Sequence, residues 1–253
     1  MKQSRNKSRH VWAAGLSVLL LLATLPASAR PSRAGGRAPV VQMGDGPDGR
    51  IRGGKPVTRG WTSLFDGKTL KGWRGEKGYW EVKEGAIVGT SPPGTPHHHY
   101  MFSERDYTDF ELHADVKLVG YNSGVCIRIM PKTYDDVPGY QVDMGDGFWG
   151  CLWDEHHRQK KIIDYPQEQA DRILHKDDWN HYFVRAVGPH LTLYLNGVKT
   201  GEVDDPDGYP GGPLGFQLCH GGNVVASFRN LYIKSLRPPT PGSAPKPPAE
   251  AIP

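Results

Sequence analysis

The sequence predicts an all-β protein built as a two-sheet antiparallel sandwich, and three observations carry that reading. Short runs with a strict period of two recur through residues 59–236. Glycine-rich turn signals separate them, and helical periodicity is scarce. The 32 glycines and 22 prolines of the 253-residue chain suit frequent turning between short strands and do not suit a helical bundle.

The clearest run places Phe110, Leu112, Ala114, Val116 and Leu118 on one face and Glu111, His113, Asp115 and Lys117 on the other. Successive side chains of a strand point to opposite faces, so this run predicts a core side and a water side. The same alternation returns in Val125/Ile127/Ile129, Tyr140/Val142/Met144, Tyr182/Val184/Ala186, Leu191/Leu193/Leu195, Leu214/Phe216/Leu218 and Leu231/Ile233. Turns are predicted at Glu84-Gly85, Gly120–Gly124, Pro138-Gly139, Asn196-Gly197 and Gly211-Gly212. Asn196-Gly197 is the sharpest, because both residues tolerate positive φ and alternating apolar residues flank them. Only Pro166–Leu174 suggests a turn or two of helix.

Four segments organise the chain. Residues 1–29 read as an export signal: a basic start, a 15-residue apolar stretch Val11–Leu25, and the Ala27-x-Ala29 cleavage pattern. The expected location is therefore periplasmic or extracellular. Residues 30–58, rich in Gly, Pro and Arg, read as a disordered linker, and 237–253, with seven prolines, as a disordered tail. The globular part is 59–236. The formal charge of +4 conceals a contrast along the chain: 59–236 holds 19 basic and 24 acidic residues, while the three flanking segments are all net positive. An acidic domain argues against a nucleic-acid partner, and no later apolar run reaches membrane length.

Cys126, Cys151 and Cys219 permit at most one disulfide, and the expectation is three ordinary buried thiols. No Cys/His spacing of a metal site is present. In His97-His98-His99 the rings alternate in direction along an extended segment, so the three cannot readily share one ion, and no metal site is assigned.

Candidate chemistry gathers elsewhere. Trp153-Asp154-Glu155-His156-His157-Arg158, following Gly147-Phe148-Trp149-Gly150, combines aromatic rings with carboxylates and an arginine. That combination suits a pyranose, which offers an apolar face and a fringe of hydroxyls. Arg128 is expected opposite the apolar side chains of its strand, as are Gln141 and Asp143 on the next. Pairing of those strands would bring all three to one sheet face. His220 stands at a strand end before a glycine turn. Neither a G-x-S-x-G elbow nor an E-x-D-x-E strand is present, which removes serine-hydrolase and ordinary sandwich-glucanase chemistry from the candidates.

Trp61-Thr62-Ser63-Leu64-Phe65-Asp66-Gly67-Lys68-Thr69-Leu70-Lys71-Gly72-Trp73 resembles the opening of the 3-keto-disaccharide hydrolase domain family. Further matches follow in order, among them Asn122-Ser123-Gly124-Val125 with Arg128, Gly139–Asp143, Gly150–Arg158, Asp178-Trp179-Asn180, Gly215-Phe216-Gln217-Leu218 and Phe228–Leu231. The resemblance covers about 60–236. It implies a concanavalin A-like jelly roll and cleavage of the glycosidic bond of a sugar oxidised at C3. On that reading Arg128 stabilises an enolate directly or through a divalent cation, and Asp143, Glu155 or His220 serves as acid or base. Asn122, Tyr140, Gln141, Trp149, Trp153, Asp154 and Arg158 would surround a carbohydrate substrate. No cofactor is assigned beyond that divalent cation, which the reading permits without demanding. A non-catalytic carbohydrate-binding module is the alternative on the same scaffold.

Overall fold

The computed structural model describes residues 60–236. The export signal, the linker to residue 58 and the tail from 237 lie outside the described residues. In chain order the first strands are β1 (Thr62–Ser63), β2 (Trp73–Gly75), β3 (Trp80–Lys83), β4 (Ala86–Ser91) and β5 (His99–Tyr107). Next come β6 (Phe110–Val119), β7 (Asn122–Ile127), β8 (Gly139–Gly145), β9 (Leu152–Glu155) and β10 (Lys160–Ile163). Helix α1 (Gln167–Ile173) leads into β11 (Asn180–Val187), β12 (His190–Leu195), β13 (Val198–Asp204), β14 (Gly212–Leu218) and β15 (Val224–Ser235).

These strands form two antiparallel sheets. One runs β13-β12-β11-β6-β15-β4-β3, with β1 added along β15; the other runs β10-β9-β8-β7-β14-β5-β2. The predicted apolar faces supply the layer between them. Phe110, Leu112, Ala114 and Val116 of one sheet meet Val125, Val142, Phe216 and Leu218 of the other in a single buried cluster. Phe216 stacks on Phe228 across the layer with ring centroids 4.0 Å apart. Strands distant in sequence, such as β7 and β14, pair across long connections, as a jelly roll requires.

Local chemistry accounts for the hairpins. Asn196 (φ 50°) and Gly197 (φ 80°) form the predicted two-residue turn between β12 and β13, where both central positions must adopt left-handed backbone. The one helix among the described residues falls within the predicted 166–174. Pro166 precedes it, Glu168 in its first turn and Arg172 in its last complement its dipole, and only Ala170 is buried. All three cysteines are free and buried.

Two expectations of alternation need correction. His113 belongs to the predicted water side of β6 yet is fully buried. The Trp61 ring covers it at 4.5 Å, its Nδ1 lies 2.9 Å from Nε2 of His181, and burial pulls its pKa down to about 3. The second correction concerns β7. Arg128 takes a left-handed φ of 49°, which ends the strand and shifts the alternation by one residue. Ile129 then joins Cys126, Tyr100 and Phe102 in a small cluster on the outer face, the side on which Arg128 was expected.

Candidate functional site

The outer face of the seven-stranded sheet is the face turned away from the core. Its residues follow from the register. Gly124 pairs with Asp143, Cys126 with Gln141, and Gln141 with Trp153, so these side chains share one side, together with Asn122 and Glu155. From the neighbouring strands Gln217 lies opposite both Gly124 and Tyr100.

These groups form one hydrogen-bonded array. Asn122 Nδ2 donates to Asp143 Oδ1 at 2.8 Å, and Gln141 Nε2 reaches Asp143 Oδ1 at 3.3 Å and Gln217 Oε1 at 3.1 Å. Gln217 Nε2 then donates to Tyr100 Oη at 2.9 Å, and that oxygen lies 3.4 Å from His156 Nε2. Gly124 makes the array sterically feasible, because a Cβ there would stand 2.4 Å from Cγ of Gln141. The amide of Gln141 lies flat across that gap.

A sheet face this polar is ordinarily wet. Here Tyr100, Gln141, Asp143 and Gln217 are each no more than 2 % exposed. The segment after β7 folds back over part of the face, with Ile129 and Val137 packed on Phe102 and Tyr100 and the Tyr134 ring stacked on Phe102 at 5.9 Å. Burial has an electrostatic consequence. Desolvation pushes the Asp143 carboxyl up to about 7, although Asn122, Gln141 and the Met144 amide all donate to it. Glu155 is pushed up to about 8, first by desolvation and then by the charges of Asp143 and Asp154. Its near neighbour is His156, with Nε2 3.9 Å from Oε2. Two carboxyls that can change protonation state near neutrality therefore share one face.

Of the residues expected at a site, the structure brings together Asn122, Gln141, Asp143, Glu155 and, at the partly exposed edge, Trp153. His220 stands nearby at the end of β14, its ring stacked on His98 at 4.5 Å. His98 in turn lies 6.3 Å from His156.

The remaining candidates are placed elsewhere. Arg128 turns inward: Nε and Nη2 donate to Thr108 O at 2.9 and 2.6 Å, and Nη1 donates to Gly188 O at 2.6 Å and Tyr209 O at 3.2 Å. Nη2 also lies 3.5 Å from Asp109 Oδ1. It thus ties together three loops from both sheets. Tyr140 and Asp154 fall on the inner side of their strands. Asp154 accepts from Arg158 and from Tyr209 Oη (3.0 Å), while Arg158 also grips Asp205 at 2.8 and 2.5 Å. Tyr140 donates to the same Asp205. Tyr140, Asp154 and Arg158 therefore belong to an internal ion network. Trp149 is 8 % exposed, stacks on Tyr182 at 6.2 Å, and lines a separate cavity of about 320 Å³ beside Gly120, Asp171 and His175.

Tyr100, Cys126 and Gln217 complete the face and were not among the candidates. Gln217 had a local cue, a polar residue alternating with Leu214, Phe216 and Leu218. Tyr100 had none, because an aromatic residue in a strand fits either face.

No curated protein sequence matches the chain. Among solved structures, the fold resembles a candidate glycosyl hydrolase from Parabacteroides distasonis, with 20 % identity and a TM-score of 0.51 over 70 % of this chain and 94 % of that one. It also resembles a carbohydrate-binding module from Bacillus subtilis, with 18 % identity and a TM-score of 0.51 over 65 % and 96 %. Both likenesses concern the sandwich scaffold. The sequence profile of one family spans residues 60–234, nearly all of the described residues, and the chain belongs to that family, the 3-keto-alpha-glucoside-1,2-lyase-like domains.

Proposed function

We propose that the chain cleaves the glycosidic bond of a 3-keto-glucoside on the outer face of the seven-stranded sheet. The observation that carries this reading is the pair Asp143 and Glu155, two carboxyls raised to about 7 and about 8 beside a buried array of hydrogen-bond donors. A C3 ketone acidifies the adjacent C2–H. Glu155, the more exposed of the two, would take that proton, and the electron pair moves into the C2–C3 bond to give an enolate at O3. Amide and phenol donors of Gln141, Gln217 and Tyr100 would stabilise that oxygen. Collapse of the enolate expels the C1 substituent, which leaves with a proton supplied by Asp143 in its neutral form. Water then adds across the resulting double bond. Trp153 would stack on the sugar from the edge of the face.

The test is turnover of a 3-keto-α-glucoside by purified protein, followed by release of the aglycone. Glu155→Gln is expected to slow release by about 10²–10⁴-fold. A second reading, carbohydrate binding without cleavage, is favoured by the partly exposed edge position of Trp153. It would appear as retention of the 3-keto-glucoside with no product and no dependence on Glu155. We further propose that the activity operates after export, directed by residues 1–29; cleavage after Ala29, read by N-terminal sequencing of protein secreted by a host cell, tests this. No helix among the described residues is long and apolar enough to cross a membrane.

A further inference from the structure

The sequence assigned no metal site, because His97, His98 and His99 alternate in direction. The structure bears out the alternation and changes its meaning. His98 turns toward Cys219 and His220, and one donor atom from each of the three lies within 4.8 Å of the others. We propose that His98, Cys219 and His220 form a binding site for a single divalent transition-metal ion of the zinc class, at the rim of the carboxylate-bearing face.

Three observations support a built site. First, the two loops that carry the ligands are clasped. Gly221 N–H donates to Thr95 O at 2.9 Å, Asn223 N–H donates to Ser91 O at 2.8 Å, and a Cβ at Gly222 would stand 2.4 Å from Pro92 O. Backbone contact this close fixes His98 against residues 219 and 220. Second, the donors are chemically matched. Imidazole and thiol select a borderline or soft ion and disfavour calcium or magnesium, which take oxygen. Third, the thiol is held in place: Cys219 is 4 % exposed, and its Sγ lies 3.0 Å from Oη of Tyr121, which donates its own proton to the His220 carbonyl at 2.6 Å.

Zn–N and Zn–S bonds of about 2.0–2.1 and 2.3 Å put tetrahedral ligands roughly 3.3–3.8 Å apart, so closure requires side-chain movements of about 1 Å. Binding replaces the 3.2 Å bond from the His220 amide to His98 Nδ1 and sends the thiol proton to solvent. Three protein ligands leave the fourth position open to water or a substrate oxygen. The His98 ring lies 6.3 Å from that of His156, whose Nε2 is 3.9 Å from Glu155 Oε2, so the site borders the carboxylate-bearing face. The metal site stands independently of the 3-keto reading.

A neighbouring group, Glu76, His97 and His99, meets the same distance criterion and is the natural competitor. There His99 Nδ1 already bonds Glu76 Oε2 at 2.5 Å, and its ring stacks on Tyr79 at 3.5 Å. Those contacts already commit Nδ1 of His99 and the Glu76 carboxylate to each other.

The test is titration of the full chain with Co²⁺ and with Zn²⁺ under reducing conditions. One ion per chain is expected, with a thiolate-to-cobalt charge-transfer band in the near ultraviolet and release of about one proton per ion. Cys219→Ser should remove the band. His220→Ala, at an exposed position and thus safe for folding, should weaken binding beyond the roughly 10–100-fold carried by outer partners of metal ligands. His97→Ala and Glu76→Gln should leave both readouts unchanged. No charge-transfer band in the wild type, or binding that survives His220→Ala and is lost in His97→Ala, overturns the proposal.

Discussion

Replacing Arg128 by Met keeps most of the side-chain volume and removes every donor. The carbonyls of Thr108, Gly188 and Tyr209 then lose their guanidinium partner in a site where Arg128 is 1 % exposed. Each buried acceptor left unpaired costs about 1–3 kcal/mol, and removing one member of a buried ion pair costs about 3–5 kcal/mol. Asp109 retains the Gly188 amide at 2.9 Å, which limits the loss on the carboxylate side. A net cost of about 4 kcal/mol follows, a large share of the roughly 5–15 kcal/mol that folded domains possess. With a urea slope of about 2 kcal/mol/M, the unfolding midpoint should fall by about 2 M with the slope unchanged. Arg128→Lys should recover only part of this, because one ammonium cannot span three carbonyls. Turnover of a 3-keto-glucoside per folded molecule, measured well below the midpoint, should stay within about twofold. An Arg128→Met protein with wild-type stability and no turnover would refute the structural assignment and restore the catalytic role that the family resemblance implied.

Asp143 and Glu155 have folded pKa values above their ordinary 3.8 and 4.5, so the folded state favours their neutral forms. Their contribution to stability is complete below about pH 4 and is lost as pH rises through about 7 and 8. Asp143→Asn should therefore match the wild type near pH 4 and exceed it at pH 8, on the order of 1–3 kcal/mol by chemical denaturation; a flat difference across that range would contradict the burial argument. His98 and His113 act in the opposite sense. Their pKa values are lowered, and the stability they confer above pH 6.5 is lost as pH falls toward about 4 and 3. With ionised Glu155 as the base and neutral Asp143 as the acid, kcat/KM should follow a bell-shaped pH profile with its limbs near 7 and 8, and a pH-independent rate would exclude the pair. Gly124→Ala should cost about 1–3 kcal/mol and displace the Gln141 amide, lowering Tm and turnover together; unchanged values would show that the array tolerates a shift at Gln141.

Much of the fold could be read locally. Alternation in β6, β8, β11, β12 and β14 located those strands, and Asn196-Gly197 located a hairpin, because side-chain direction and positive φ are properties of a residue and its immediate neighbours. Short or edge strands such as β2 and β10 lack enough residues to show a period. Gln141, Asp143 and Glu155 were found at the candidate site because each keeps strand parity. Arg128 and Ile129 were not placed correctly, because one left-handed residue after β7 reverses which side each faces, and nothing in Ile127-Arg128-Ile129-Met130 announces it.

The sequence by itself determined the strand-rich class, the acidic character of the globular part, the family, and the polar residues that alternate with core residues. Tertiary structure alone decided which polar residues are buried. Burial on the outer face raises the carboxyl pKa values of Asp143 and Glu155, while the inward turn of Asp154 and Arg158 withdraws them from that face. It also brought His98 to Cys219 and His220, across 122 positions of chain in the case of His220. The physical reason is range: alternation is set by neighbours along the chain, whereas desolvation and ligand convergence depend on groups that meet only when distant loops pack.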